Sequence, residues 1–257
     1  VGNPAEVTTP IDIKVNLDGD LVDAQARLGC TNAAAVGRDV WFAEPRLPGV
    51  GGPPTLLADR IAIRLRSGDH DDVTVTLRPC LPAQLVGRWA APFTDEGVRY
   101  RIAGDWCGGR RELSAAVRSS RPPGTLRVAA LRGEDLTEVL DSAQRQFLVS
   151  CTPPGVAVDH LRAVGPIAAT AWTGVVLGDF TVDAERWAVG GLDLFDLSLT
   201  VAPAPGEPAE ALRARALVTQ QRLHDAVRAH GLAVATELTK TEQVLTASAM
   251  AGPAWSE

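Results

Sequence analysis

Ile11, Ile13 and Val15 alternate with Asp12 and Lys14. Successive side chains of an extended chain point to opposite sides, so this period of two predicts a strand with one apolar and one charged face. The pattern returns in two adjoining runs. Ile61, Ile63 and Leu65 alternate with Arg64 and Arg66, and Val73, Val75 and Leu77 with Thr74, Thr76 and Arg78. With SGDHDD between them, these runs predict a hairpin with one polar face. Arg99 and Arg101 mark one side of a strand over 98–102, and Arg110, Glu112 and Ser114 one side of another over 110–117, with GDWCGG read as the turn between. The β-rich stretch 36–43 and three runs near 167–176, 180–188 and 192–201 bring the total to about eight strands.

Apolar positions three and four apart signal helices instead. Leu136, Val139, Leu140, Ala143 and Phe147 form one such stripe over 133–148, and Leu212, Ala216, Leu223 and Val227 another over 209–229. Asp20 is placed to cap a short helix ending near Gly29. LPGVGGPP, CTPPG and APAPGEP are breaker-rich connections. No repeat or change of composition divides the chain, so residues 1–257 are read as one α+β domain: an antiparallel, roughly eight-stranded β-barrel with flanking helices.

Composition changes this picture little. At 46% hydrophobic and 22% charged, the chain can bury a sizeable core, and a formal charge of -6 argues against general nucleic-acid binding. Two of the 25 basic residues are lysines, Lys14 and Lys240; the others are arginines. Cys30, Cys80, Cys107 and Cys151 are too widely spaced for a Cys-x-x-Cys metal or redox site and read as buried thiols. The four histidines read as surface or packing residues. No apolar run reaches the roughly 18 to 20 residues that cross a bilayer, so no membrane partner and a cytoplasmic location are expected.

The polar face of a half-exposed sheet ordinarily meets water. Here Arg or Lys recurs from strand to strand where a surface would mix Thr, Ser, Glu and Gln, and few carboxylates are apparent on the same faces. A closed barrel whose lumen binds an anion accounts for the bias. Guanidinium groups take phosphate oxygens in pairs and stay charged, which suits a phosphorylated ligand, and phosphate chemistry calls for Mg²⁺ or Mn²⁺ on acidic side chains.

DVWFAEP at 39–45, RIAIRLR at 60–66 and TVTLRP at 74–79 resemble a strand and hairpin of the CYTH, or triphosphate tunnel, family. Asp12-Ile13-Lys14 is similar to the end of its E-x-E-x-K opening, Arg110-Arg111-Glu112-Leu113-Ser114 to its R-x-E-x-E strand, Asp196-Leu197-Ser198 to its later E-x-E, and ELTKTEQVL to its closing lysine segment. The resemblance implies a tunnel barrel in which Lys14, Arg64, Arg66 and Arg78 are catalytic, Arg99, Arg101, Arg110 and Lys240 bind substrate, and Asp12, Glu112 and Asp196 hold Mg²⁺ or Mn²⁺, with Asp183 as an additional acid. Several family positions differ: Ser replaces an acid on two strands, Ala169 and Ala171 replace two cations, and Glu242 replaces a lysine. The expected function is an enzyme, a metal-dependent phosphohydrolase or diphosphate-processing lyase or cyclase, acting on a triphosphate or diphosphate small molecule. Two alternatives stay open. One is a barrel that cyclises or eliminates an organic or prenylated substrate, with Trp106, Trp172 and Trp187 lining it; the other is a non-catalytic anion-binding module.

Overall fold

The computed structural model describes residues 8–45, 55–156, 158–235 and 238–251, so the LPGVGGPP loop lies outside the described residues. Its strands are β1 (Ile11–Asp18), β2 (Val36–Pro45), β3 (Ile61–Ser67), β4 (Asp71–Leu77), β5 (Phe93–Asp95), β6 (Val98–Cys107), β7 (Arg110–Arg121), β8 (Leu161–Leu177), β9 (Phe180–Val189), β10 (Leu192–Val201) and β11 (Ala233–Val234). The helices are α1 (Leu21–Arg27), α2 (Thr55–Ala58), α3 (Thr125–Leu131), α4 (Ser142–Cys151), α5 (Ala209–Ala229) and α6 (Lys240–Ala251).

The strands pair in the order β11-β1-β10-β9-β8-β2-β3-β4-β7-β6-β5, and β6 pairs back onto β1. That last pairing closes a ring of nine strands, leaving β5 and β11 as short edge additions. The expected eight antiparallel strands are therefore corrected to nine, with one parallel seam in which Ile11 to Lys14 lie opposite Gly104 to Cys107. Gly104 fits that seam because a Cβ there would come within 3.2 Å of Ile11 Cγ1.

Alternation along the strands sorts the apolar residues into three bodies. Ile61, Ile63, Leu65, Val73, Val75 and Leu77 pack beneath Leu126 of α3 and Phe147 and Leu148 of α4. Ile11, Ile13, Val15 and Leu197 pack beneath Leu21 of α1 and Leu212, Ala216, Leu223 and Val227 of α5. These two bodies lie outside the wall. Val40, Phe42, Ile167, Ala169 and Trp187 face the other way and receive Val244 and Leu245 of α6, both fully buried. Burying a side chain of that size contributes about 1.5–3 kcal/mol.

Two local expectations need adjustment. The stripe over 133–148 is not one helix: Leu136–Val139 forms a 3₁₀ turn, and Asp141 stops it by accepting a hydrogen bond from Gln144 N as the N-cap of α4. GDWCGG is not all turn, because β6 runs on to Cys107. Lys240–Ala251 forms a helix, α6, where no element was expected. The cap at Asp20 is as expected, its carboxylate accepting from Val22 N and Asp23 N. Among the described residues, no helix is long and apolar enough to cross a membrane.

Candidate functional site: an ion-paired barrel lumen

The start of α6 identifies the inner face. Arg78, just past the end of β4, donates to Thr239 Oγ1 at 3.1 Å, Arg110 of β7 donates to Glu242 at 2.8 Å, and Lys240 reaches Glu185 of β9 at 2.9 Å and Asp196 of β10 at 2.7 Å. β4 and β7 sit on the opposite arc of the ring from β9 and β10. A segment touching both arcs lies inside, so the side chains it meets line the lumen.

On β6, Asp105 continues the inward alternation of Arg99 and Arg101. Its carboxylate accepts from Lys14 at 2.9 Å and from Arg78 at 2.6 Å. Burial pushes this carboxyl up, but the two cations outweigh burial and hold it at about 2. On β4, Asp72 stands opposite Arg66 in register and pairs with it at 3.0 Å, and Arg118 of β7 closes on the same carboxylate at 3.0 Å. Arg110 is shared between Glu112 at 2.6 Å and Glu242 at 2.8 Å. Arg101 grips Asp12 through both terminal nitrogens, and Thr200 donates to the same acid.

Arg64 differs. It stands on β3 between Phe42 and Thr74, and among the described residues its guanidinium has no ion pair, while its Nε is buried without a hydrogen-bond partner. Part of its surface still meets the lumen, yet the group is deep enough that burial, with Arg66 alongside, lowers its pKa to about 10. It stays charged at neutral pH.

Of the residues expected to be catalytic, Lys14 and Arg78 share one carboxylate, and Arg64 and Arg66 lie two residues apart on one strand face. Of the expected substrate contacts, Arg101 and Arg110 line the lumen, Arg99 is exposed further along β6, and Lys240 is held by Glu185 and Asp196. The expected metal ligands are not brought together. Asp12 faces Arg101, Glu112 faces Arg110, and Asp196 faces Lys240. No group of three acidic, His or Cys side chains among the described residues could hold a metal ion. These carboxylates therefore do not fit a divalent cation, since each already has a protein cation against it. Asp183 is exposed and adds no third ligand.

Asp72, Asp105 and Glu185 correct the expectation of few carboxylates. The first two were hidden in stretches read as turns, and Glu185 could have been found by running the alternation of β9 past Ala184. The apolar-wall alternative also changes. Trp172 lies outside the barrel, its indole donating to Thr31 O, and Trp106 packs in the same outer body beneath Arg111. Only Trp187 of the three belongs to the inner body, and α6 fills the space beside it.

A closed nine-stranded barrel with helices outside the wall and charges inside it defines a tunnel-type fold. The chain is similar to HpAC1 from Hippeastrum, an adenylyl cyclase candidate described as having a dominant triphosphatase activity, with a TM-score of 0.54 and 11% identity over 93% of this chain and 97% of that one. It is also similar to an adenylate cyclase candidate from Bacillus halodurans, with a TM-score of 0.50 and 10% identity over 91% and 96% of the two chains. The chain thus has the fold of the CYTH-type, triphosphate tunnel proteins. No family model matches it, and no curated protein does.

Proposed function

We propose that the lumen binds a phosphorylated small molecule, a triphosphate or diphosphate, and acts on it. The observation that carries this reading is Arg64, a guanidinium deep in the barrel with no ion pair among the described residues while its neighbours have theirs. An unpaired buried cation is costly unless an anion reaches it, and a guanidinium takes phosphate oxygens in pairs. Arg66 and Arg118, both on Asp72, flank the position, and a polyanion can draw them partly from that carboxylate. Lys14, Arg78, Arg101 and Arg110 would extend the positive path. Fold similarity to a protein described as having triphosphatase activity supports the ligand class. Catalysis in such a site comes from positioning and from charge stabilisation on the transferring group, so no protein nucleophile is required. No step is drawn through a divalent ion, because Asp12, Glu112 and Asp196 are held by protein cations.

Calorimetric titration with tripolyphosphate tests the reading. Binding to the native protein and about 10–100-fold weaker binding to Arg64→Gln are expected, the loss of one charge-assisted contact. Equal affinity in the variant would remove the basis for this site. A second reading, binding without turnover, draws on one observation: Asp12, Asp72, Asp105, Glu112, Glu185, Asp196 and Glu242 each face a cation, leaving none of them poised as a base. Release of phosphate or pyrophosphate from a nucleotide panel separates the two.

A further inference from the structure

The ammonium of Lys240 has an unusually complete set of partners. It donates to Glu185 Oε2 at 2.9 Å and to the Glu185 backbone oxygen at 2.9 Å, and it lies 2.7 Å from Asp196 Oδ1. A lysine has three N–H donors, so these three acceptors saturate it. The Trp187 ring covers a further side at 4.7 Å, and Lys240 is only 5% exposed. A compact cation surrounded by two carboxylates and a carbonyl oxygen has the kind of oxygen shell a small metal ion would seek.

The ammonium is also anchored. Lys240 is the first residue of α6, and Val244 and Leu245 one turn further on are sealed into the inner apolar body. Withdrawing the cation would unseat the helix. Lys14 and Arg78 are both on Asp105, and Arg64, whose charge acts on Glu185, makes no ion pair with either carboxylate among the described residues.

We propose that Lys240 is a built-in counter-ion that occupies the Glu185–Asp196 pair and keeps divalent cations out of it, so that removing its charge converts the pair into a metal site. The point concerns the resident cation alone and holds whatever ligand the lumen takes.

Manganese titration followed by the EPR signal of the free ion provides the test. The native protein should leave the signal undiminished at this pair, Lys240→Ala should take up one Mn²⁺ per chain, and Lys240→Ala combined with Asp196→Asn should lose it again. Failure of folded Lys240→Ala to bind, or Mn²⁺ uptake by the native protein that Asp196→Asn abolishes, would overturn the proposal. Lys240→Met, which keeps the apolar stem over Trp187, replaces Lys240→Ala should the latter not fold. The native protein also decides the matter alone: its melting temperature should be the same in Mn²⁺ as in chelator, and a Mn²⁺-dependent rise removed by Asp196→Asn would contradict the assignment.

Discussion

Asp105 shows how far one side chain can set the character of this lumen. Without it, Lys14 and Arg78 would be two uncompensated cations in the wall; with it, both are neutralised and held in place. Glu185 plays the same part for Lys240, and the charge of Lys240, with that of Arg64 acting without an ion pair, outweighs burial and holds its carboxyl at about 2. Both carboxyls lie below their unfolded values, near 4, so their stabilisation is complete above that range and is lost as pH falls through about 2. Each contributes on the order of 2–3 kcal/mol at neutral pH. Asp196 runs the opposite way, because burial raises it, with the charge of Glu185 adding to the rise. Denaturant unfolding between pH 5 and pH 2 should show falling stability, and Asp105→Asn should be less stable at neutral pH with a shallower fall. An Asp105→Asn protein as stable as the native one at pH 7 would show that the shared carboxylate is unimportant.

At the level of elements, α6 decides what the barrel can hold. Its apolar residues Val244 and Leu245 pack on Val40, Phe42 and Trp187, so one part of the barrel interior is an apolar core beside the ion-paired part. Leu245→Ala should lower unfolding free energy by about 2–5 kcal/mol, the range for a large-to-small change in a sealed interior. A change under 1 kcal/mol in chemical denaturation would mean that the helix is loosely seated. The barrel strands were legible from period-two alternation, most plainly in β3, where buried and half-buried positions alternate throughout. α6 was not. Its apolar side is short, and ELTKTEQVL offers only two adjacent buried residues to a search for helical spacing. The single helix expected over 133–148 failed for a related reason: capping by Asp141 breaks the backbone while the stripe of buried Leu136, Leu140 and Phe147 continues through the break.

Across the whole molecule, acids on β1, β4, β6, β7, β9 and β10 are set against cations from the same strand, from other strands or from α6, so the clustered basic groups are held against opposite charge. That balance could not be read from the chain alone. Asp72 and Asp105 sit at strand ends that resemble turns in sequence, and the pairing of Lys240 with Glu185 joins residues 55 positions apart. The alternation of Lys14, Arg64, Arg66, Arg78 and Arg101 along their strands was legible; the ion pairs that all but Arg64 make with the acids among the described residues were not. Location of a heavy oxyanion tests this account most directly. In crystals soaked with tungstate, the anomalous signal should show one anion inside the barrel within hydrogen-bonding reach of Arg64, and Arg64→Gln crystals should lose it. Anions found only on the outer surface, with the barrel interior empty at Arg64, would contradict it.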